Sequence, residues 1–248
     1  MTRILFSLVI LFFITSCAAV GVTNKKTKAV PPTESFVKIT KVLKVHNCKN
    51  NKPCKVGEFA STGSGISIGI FGTNSLILTA GHVCSRSKNM ESMLGSVGSH
   101  DYTIVAQDIT GRAYDTYVFR VVLNPMTQTD LCMLIVRDSN IKGVLLSEKA
   151  PEIGDKIYNI AAPVGIFHPP VVPIIDGIFS GNIPETSSSM VTLPAIGGSS
   201  GSAILNENME LVGILFATHP YFNVVTLSSN YSETLRFVHN CFIQLLTN

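Results

Sequence analysis

Three short stretches hold residue types that could act together on an acyl group. His82 follows Ser75-Leu76-Ile77-Leu78-Thr79-Ala80-Gly81, an apolar strand running into a small-residue turn. A general base needs such a place: the strand fixes the backbone, while Ala80 and Gly81 leave room for an imidazole to face a cleft. Taken alone, a histidine there is more often a hydrogen-bonded surface group. Ser200 lies in Gly197-Gly198-Ser199-Ser200-Gly201-Ser202-Ala203, a glycine-rich bend before a strand. Small neighbours let a carbonyl approach its hydroxyl, and the N–H groups of Gly198 and Ser200 could receive an oxyanion, the kind of donor that matters most in acyl transfer. The bend reads equally well as a flexible Gly/Ser hairpin, and Ser199 and Ser202 are rival nucleophiles. Asp130 heads the apolar run Leu131 to Val136. A carboxylate there is costly to bury without a partner, and a histidine N–H is a suitable one. It could instead end the preceding turn and face water, and Asp101, Asp108 and Asp115 are rivals in more polar surroundings.

The elements that must hold these groups read mostly as short strands. Apolar, β-branched runs recur at 66–71, 75–79, 103–106, 117–122, 131–136 and 156–160, then at 174–179, 190–193, 203–205 and 211–217. Gly, Asn, Asp and Pro break them, a spacing that argues for an all-β sandwich or barrel. Only the end reads as helix. Asn230 with Glu233 three residues on resembles a capping box, and Leu235, Val238, Phe242 and Leu245 form one stripe at helical spacing. No internal repeat is visible, and no appended binding domain is expected after this helix.

The chain has 248 residues, 46% of them hydrophobic and 14% charged, with a formal net charge of +3. That excludes a disordered chain and gives little support to nucleic-acid binding. The lysines at 25, 26 and 28 and the patch from Lys41 to Lys55 read as solvated linker and surface. Arg3 and the apolar run Ile4 to Ile14 make a targeting signal, too short to span a bilayer comfortably. Ile14-Thr15-Ser16-Cys17 resembles the bacterial lipobox, which implies that Cys17 is lipidated and becomes the mature N-terminus. An ordinary signal cut near Ala18 or Ala19, or an uncleaved anchor, is the alternative. Residues 18–35 suit a flexible linker, and the domain is expected over 36–248. Cys48 and Cys54 flank a polar turn and are most simply paired by a disulfide, in a compartment that permits one. Their spacing is wider than zinc pairs usually show and no second ligand pair follows, so no metal is expected. Cys241 reads as a packed thiol.

In order, Thr79-Ala80-Gly81-His82, Thr129-Asp130-Leu131 and Gly198-Ser199-Ser200-Gly201-Ser202 resemble the histidine, aspartate and serine motifs of the chymotrypsin-like serine peptidases. Gly63-Ser64-Gly65-Ile66, Gly154-Asp155 and Ala162-Pro163-Val164-Gly165 resemble landmarks of the bacterial branch. The resemblance implies an all-β fold of two six-stranded antiparallel β-barrels, about 36–140 and 141–248, with a C-terminal helix. It implies a serine endopeptidase with His82, Asp130 and Ser200 as triad and Gly198 and Ser200 as oxyanion hole. Pro194, Ala195 and Ile196 would approach the primary specificity pocket, and Phe216, Ala217 and Thr218 would pair with substrate; none is charged, which implies an uncharged preferred side chain. The resemblances imply a protein or peptide partner, no required cofactor, and a site of action at the periplasmic or cell-surface face of a bacterial membrane, reached through the lipid anchor. The family's glutamate-selecting histidine falls nearer Leu215 than His219, and His168 reads as structural or solvated. Ser199 stands where animal members carry aspartate, so activation by a newly cut N-terminus is not expected. Cys84 and Cys132 each follow a triad residue by two positions, which puts both sulfurs near the triad and leaves a bridge between them to geometry. An inactive lipoprotein using the fold to bind extended peptides is the alternative reading. An esterase or amidase is disfavoured because the serine lacks the nucleophile-elbow spacing.

Overall fold

The computed structural model describes residues 29–49, 54–86 and 94–247. The targeting signal, Cys17, Lys25, Lys26 and Lys28 and most of the 18–35 linker lie outside them.

Among the described residues, twelve strands close into two antiparallel barrels. The first consists of β1 (Phe36–Cys48), β2 (Gly57–Phe71), β3 (Asn74–Thr79), β4 (Val97–Asp108), β5 (Ala113–Asn124) and β6 (Thr129–Val136), in the order β1-β2-β3-β6-β5-β4. The second consists of β7 (Lys156–Ile160), β8 (Ile174–Asn182), β9 (Ser188–Thr192), β10 (Ala203–Leu205), β11 (Leu211–His219) and β12 (Phe222–Ser229), in the order β10-β11-β12-β9-β8-β7. One helical turn, α1 (Gly81–Cys84), follows β3, and α2 (Tyr231–Thr247) ends the described chain. This is the chymotrypsin-like fold that the three motifs imply.

Burial explains which runs were continuously apolar. Leu131 to Val136 of β6 are all buried, as are Leu211 to Leu215 of β11, because each strand is covered on both faces. The second barrel packs Ile157, Phe179, Val191, Leu193, Ile204 and Leu215 inside, while Ile160, Leu205 and Ile214 join the first-barrel residues in one shared core. That shared core fixes how the barrels meet.

Two readings of the sequence need correction. In β1 the buried row is Val37, Ile39, Leu43 and Val45, at the alternation a half-buried strand requires. Lys41 falls in that inward row and is partly buried, whereas Lys44, Lys49 and Lys55 are exposed as read. The helix seam is also displaced. Thr234, Phe237, Val238 and Cys241 are the buried residues of α2 besides Glu233, and Leu235, Phe242 and Leu245 are only partly covered. The side chain of Asn230 does cap the helix, accepting the Glu233 N–H at 2.8 Å. The reciprocal half of the box is missing, because Glu233 pairs with Arg236 and the Asn230 N–H donates to Ser187 O.

Cys48–Cys54 and Cys84–Cys132 are disulfides, and Cys241 is a buried free thiol. Burial pushes that thiol up to about 11, so it stays protonated and inert at neutral pH. Two disulfides suit an extracellular or periplasmic location. No described helix is long and apolar enough to cross a membrane.

Candidate active site

His82 sits on α1, a single turn too short to hold itself by its own hydrogen bonds. Asp130, the second residue of β6, supplies what is missing. Its Oδ1 accepts the His82 backbone N–H at 2.9 Å, and its Oδ2 accepts the imidazole Nδ1–H at 2.7 Å. One carboxylate thus fixes both the backbone and the ring, and as an acceptor it requires the proton on Nδ1, with Nε2 on the far side of the ring. Asp130 is 16% exposed against 43% for His82, so the carboxylate is screened while the imidazole faces solvent. Gly81 makes the approach possible: a Cβ there would lie 2.9 Å from Val122 O and 3.0 Å from Asp130 Oδ1. The Cys84–Cys132 bridge ties the end of the same turn to β6. Asp101, Asp108 and Asp115 do other work. Asp101 pairs with His46, Asp108 closes the β4–β5 turn, and Asp115 lies in the β4–β5 pairing.

Ser200 precedes β10, in a turn whose every peptide is held. Ser64 N–H donates to Ser200 O at 2.8 Å, and Gly201 N–H donates to Leu215 O at 2.7 Å. Gly201 has a φ of 88°, and a Cβ there would strike Thr79 Oγ1 and Ser64 O, so only glycine fits. The serine turn is pressed directly against the strand and turn that carry His82. A Cβ on Gly63 would meet Val83, the residue after His82, at 2.8 Å and Ser200 O at 3.3 Å.

Two peptide orientations follow from their acceptors. Gly197 O takes the Val164 N–H at 2.6 Å, and Ser199 O takes the Ser202 N–H at 3.1 Å. In a trans peptide the C=O and N–H point oppositely, so the N–H groups of Gly198 and Ser200 are turned away from these partners. Gly198 adopts a φ of 95°, and a Cβ there would strike Ala162 O. Ser199 is fully buried with its N–H on Ile196 O, and Ser202 is buried with its hydroxyl accepting from Asn159. Of the three serines only Ser200 is partly accessible.

The other expected site residues surround this turn. Pro194 and Ile196 are exposed, Ala195 is buried with its N–H on Asn223 O, and Phe216, Ala217 and Thr218 lie partly buried on β11. Phe216 falls at a bulge in the β11–β12 pairing and, with Leu123, Pro125 and Leu227, lines a recess of about 310 Å³ beside Asp130. Leu215 is buried inside the second barrel, His219 is exposed at the end of β11, and His168 is an exposed turn residue paired with Val171. Among the described residues no cluster of His, Cys, Asp or Glu could hold a metal ion.

Sequence reasoning missed three residues that hold the site. Ser64 is fully buried: its Oγ donates to Gly198 O at 2.8 Å and accepts the Ala162 N–H at 2.9 Å, while its carbonyl accepts Thr79 Oγ1–H at 2.7 Å. Val164 presents its N–H from a left-handed conformation, φ 46°, rare for a β-branched residue. Lys41 donates from Nζ to His82 O at 3.0 Å.

The trypsin-like peptidase domain model matches residues 63–214, more than half of the chain and all three motifs. The protein therefore belongs to the trypsin-like peptidase domain family. Among solved structures it is similar to a serine endoprotease from Yersinia pestis, at 17% identity and a TM-score of 0.59, over 84% of this chain and 63% of that one. It is also similar to a protease from M. tuberculosis in its active form, at 13% identity and a TM-score of 0.58, over 82% of this chain and 79% of that one. At such identities the likeness is one of fold, and the chain spans less than two thirds of the Yersinia protein. No curated protein matches the chain in sequence.

Proposed function

We propose that the protein is a serine endopeptidase that cleaves peptide bonds through an acyl-enzyme, with His82, Asp130 and Ser200 as its triad. The observation that carries this reading is the pair of hydrogen bonds that the Asp130 carboxylate accepts from the His82 backbone N–H and ring Nδ1–H, beside a serine turn pressed against Thr79 and Ala80 at the strand end before His82. Ser200 Oγ attacks the scissile carbonyl carbon as His82 Nε2 takes its proton. The oxygen that becomes negative is received by the N–H groups of Gly198 and Ser200, whose peptides are already turned by Val164 and Ser202. His82 returns the proton to the leaving amine as the C–N bond breaks. Water then attacks the ester, giving its proton to His82, and the acid product leaves as Ser200 regains a proton.

Substrate would lie along Phe216, Ala217 and Thr218 as an added strand, with its first side chain near Pro194, Ala195 and Ile196. No charge lines these positions, which favours an uncharged side chain at the cleaved bond. The lipobox-like Ser16-Cys17 supports export followed by anchoring through Cys17 to a bacterial membrane, with the catalytic domain on its periplasmic or outer face.

Fluorophosphonate labelling tests the mechanism. The wild type is expected to be labelled and Ser200→Ala not. A folded wild type that stays unlabelled would hand the fold to peptide binding without catalysis, and labelling that survives in Ser200→Ala would move the nucleophile to Ser199 or Ser202.

A further inference from the structure

β1 alternates so that Val37, Ile39, Leu43 and Val45 face the first barrel's interior. Lys41 occupies the one place in that row where an apolar residue is expected and a cation is found. A lone ammonium there must be compensated, since burying charge without partners is costly. Its Nζ donates to His82 O at 3.0 Å and to Ser85 O at 3.3 Å, and burial lowers its pKa below the ordinary lysine value. These carbonyls belong to the end of α1, where a helix leaves its C=O groups unpaired and carries partial negative charge. Ser85 closes the turn by donating its N–H to Gly81 O at 3.1 Å. A single turn so short is thus clamped from three sides: by Asp130 on the His82 N–H, by the Cys84–Cys132 bridge, and by Lys41 on the carbonyls.

We infer that Lys41 is a positioning residue for the imidazole: its ammonium fixes the turn that aims His82 between Asp130 and Ser200. The inference rests on the triad reading proposed above. Lys41 touches neither substrate nor the reacting atoms, and it acts only through the backbone of α1. Removing the ammonium frees two carbonyls and lets the turn rock about its bond to Asp130. A displacement of the order of 1 Å at a catalytic group is enough to slow a reaction about a hundredfold.

The test compares wild type, Lys41→Met and Lys41→Arg in the whole mature protein. Two readouts are taken: the rate of fluorophosphonate labelling, and the far-downfield proton resonance of the His82 Nδ1–H bonded to Asp130. In Lys41→Met labelling is expected to slow by about ten- to a hundredfold, with the downfield line shifted or broadened. Lys41→Arg, which keeps charge and donors, should recover both. A folded Lys41→Met with wild-type labelling and an unchanged resonance would overturn the inference, as would an arginine variant that recovers neither. Should Lys41→Met not fold, Lys41→Gln retains a donor without the charge, and wild-type behaviour on both readouts would overturn it equally. If the wild type itself is not labelled, the triad reading fails first, and the resonance in wild type against Lys41→Met still decides whether Lys41 positions His82.

Discussion

At the scale of single residues, the site is a set of groups held in orientations that their own side chains could not maintain. Asp130→Asn should reduce labelling on the order of 10³–10⁴-fold, because an amide at Oδ2 favours the wrong imidazole tautomer; a smaller loss, with the fold intact by circular dichroism, would displace Asp130 from that role. Ser64→Ala tests a different dependence. It leaves Gly198 O and the Ala162 N–H without their buried partner, and each such loss costs about 1–3 kcal/mol. A lower urea midpoint and slower labelling together are expected. The surroundings of His82 and Ser200 were legible in the sequence because they are local: a strand, a small-residue turn, glycines at the close approaches. Ser64 was visible only as part of a Gly-Ser-Gly landmark, since its partners lie 134 and 98 residues away. Val164 likewise was visible only within the Ala-Pro-Val-Gly landmark, because what it supplies is an N–H and a left-handed backbone rather than a side chain.

At the scale of elements, the strands read from the sequence were those with short apolar or β-branched runs bounded by turn residues. β1 escaped because lysines alternate with its buried residues, and β12 because Thr226, Ser228 and Ser229 leave little apolar contrast. The helix was found, but its most buried residues are Thr234, Phe237, Val238 and Cys241, with Phe242 and Leu245 packed at the margin of that contact. The two disulfides differ in what they close. Cys84–Cys132 spans 48 residues and Cys48–Cys54 only 6, so loop entropy assigns about 4 and about 2 kcal/mol respectively. Replacing each pair by alanine and measuring urea unfolding should show that order, and only loss of Cys84–Cys132 should also slow labelling. Asp108 makes the β4–β5 turn sensitive to acid. Burial pushes its pKa up, but bonds from the Thr110 and Tyr114 hydroxyls and the Arg112 and Thr110 N–H groups outweigh this and hold it below the ordinary carboxylate value. Its contribution is therefore present above the unfolded pKa of about 3.9 and lost as pH falls through the lower folded value. Urea midpoints measured from pH 5 downwards should fall less steeply in Asp108→Asn than in wild type.

At the scale of the whole molecule, the two barrels share one core, and the proposed catalytic groups come from both. Ser199 is buried at the position where a zymogen switch would need a carboxylate, and it carries none. The mature chain is accordingly expected to label without a cut near Phe36, and an N-terminal sequence read from labelled protein checks this. Metabolic labelling with palmitate, compared between wild type and Cys17→Ser, tests the anchor: loss of label with release from the membrane is expected. The helix α2 has a consequence for how the protein is made. Phe237, Val238 and Cys241 belong to the core that includes β6 and β11, and Arg120 of β5 bonds Gln244. A chain still being synthesised or threaded across a membrane can therefore present all twelve strands while part of its greasy interior stays open. Completion waits for residues 231–247, so a stop codon placed just after Ser229 should yield a product that quality-control proteases remove.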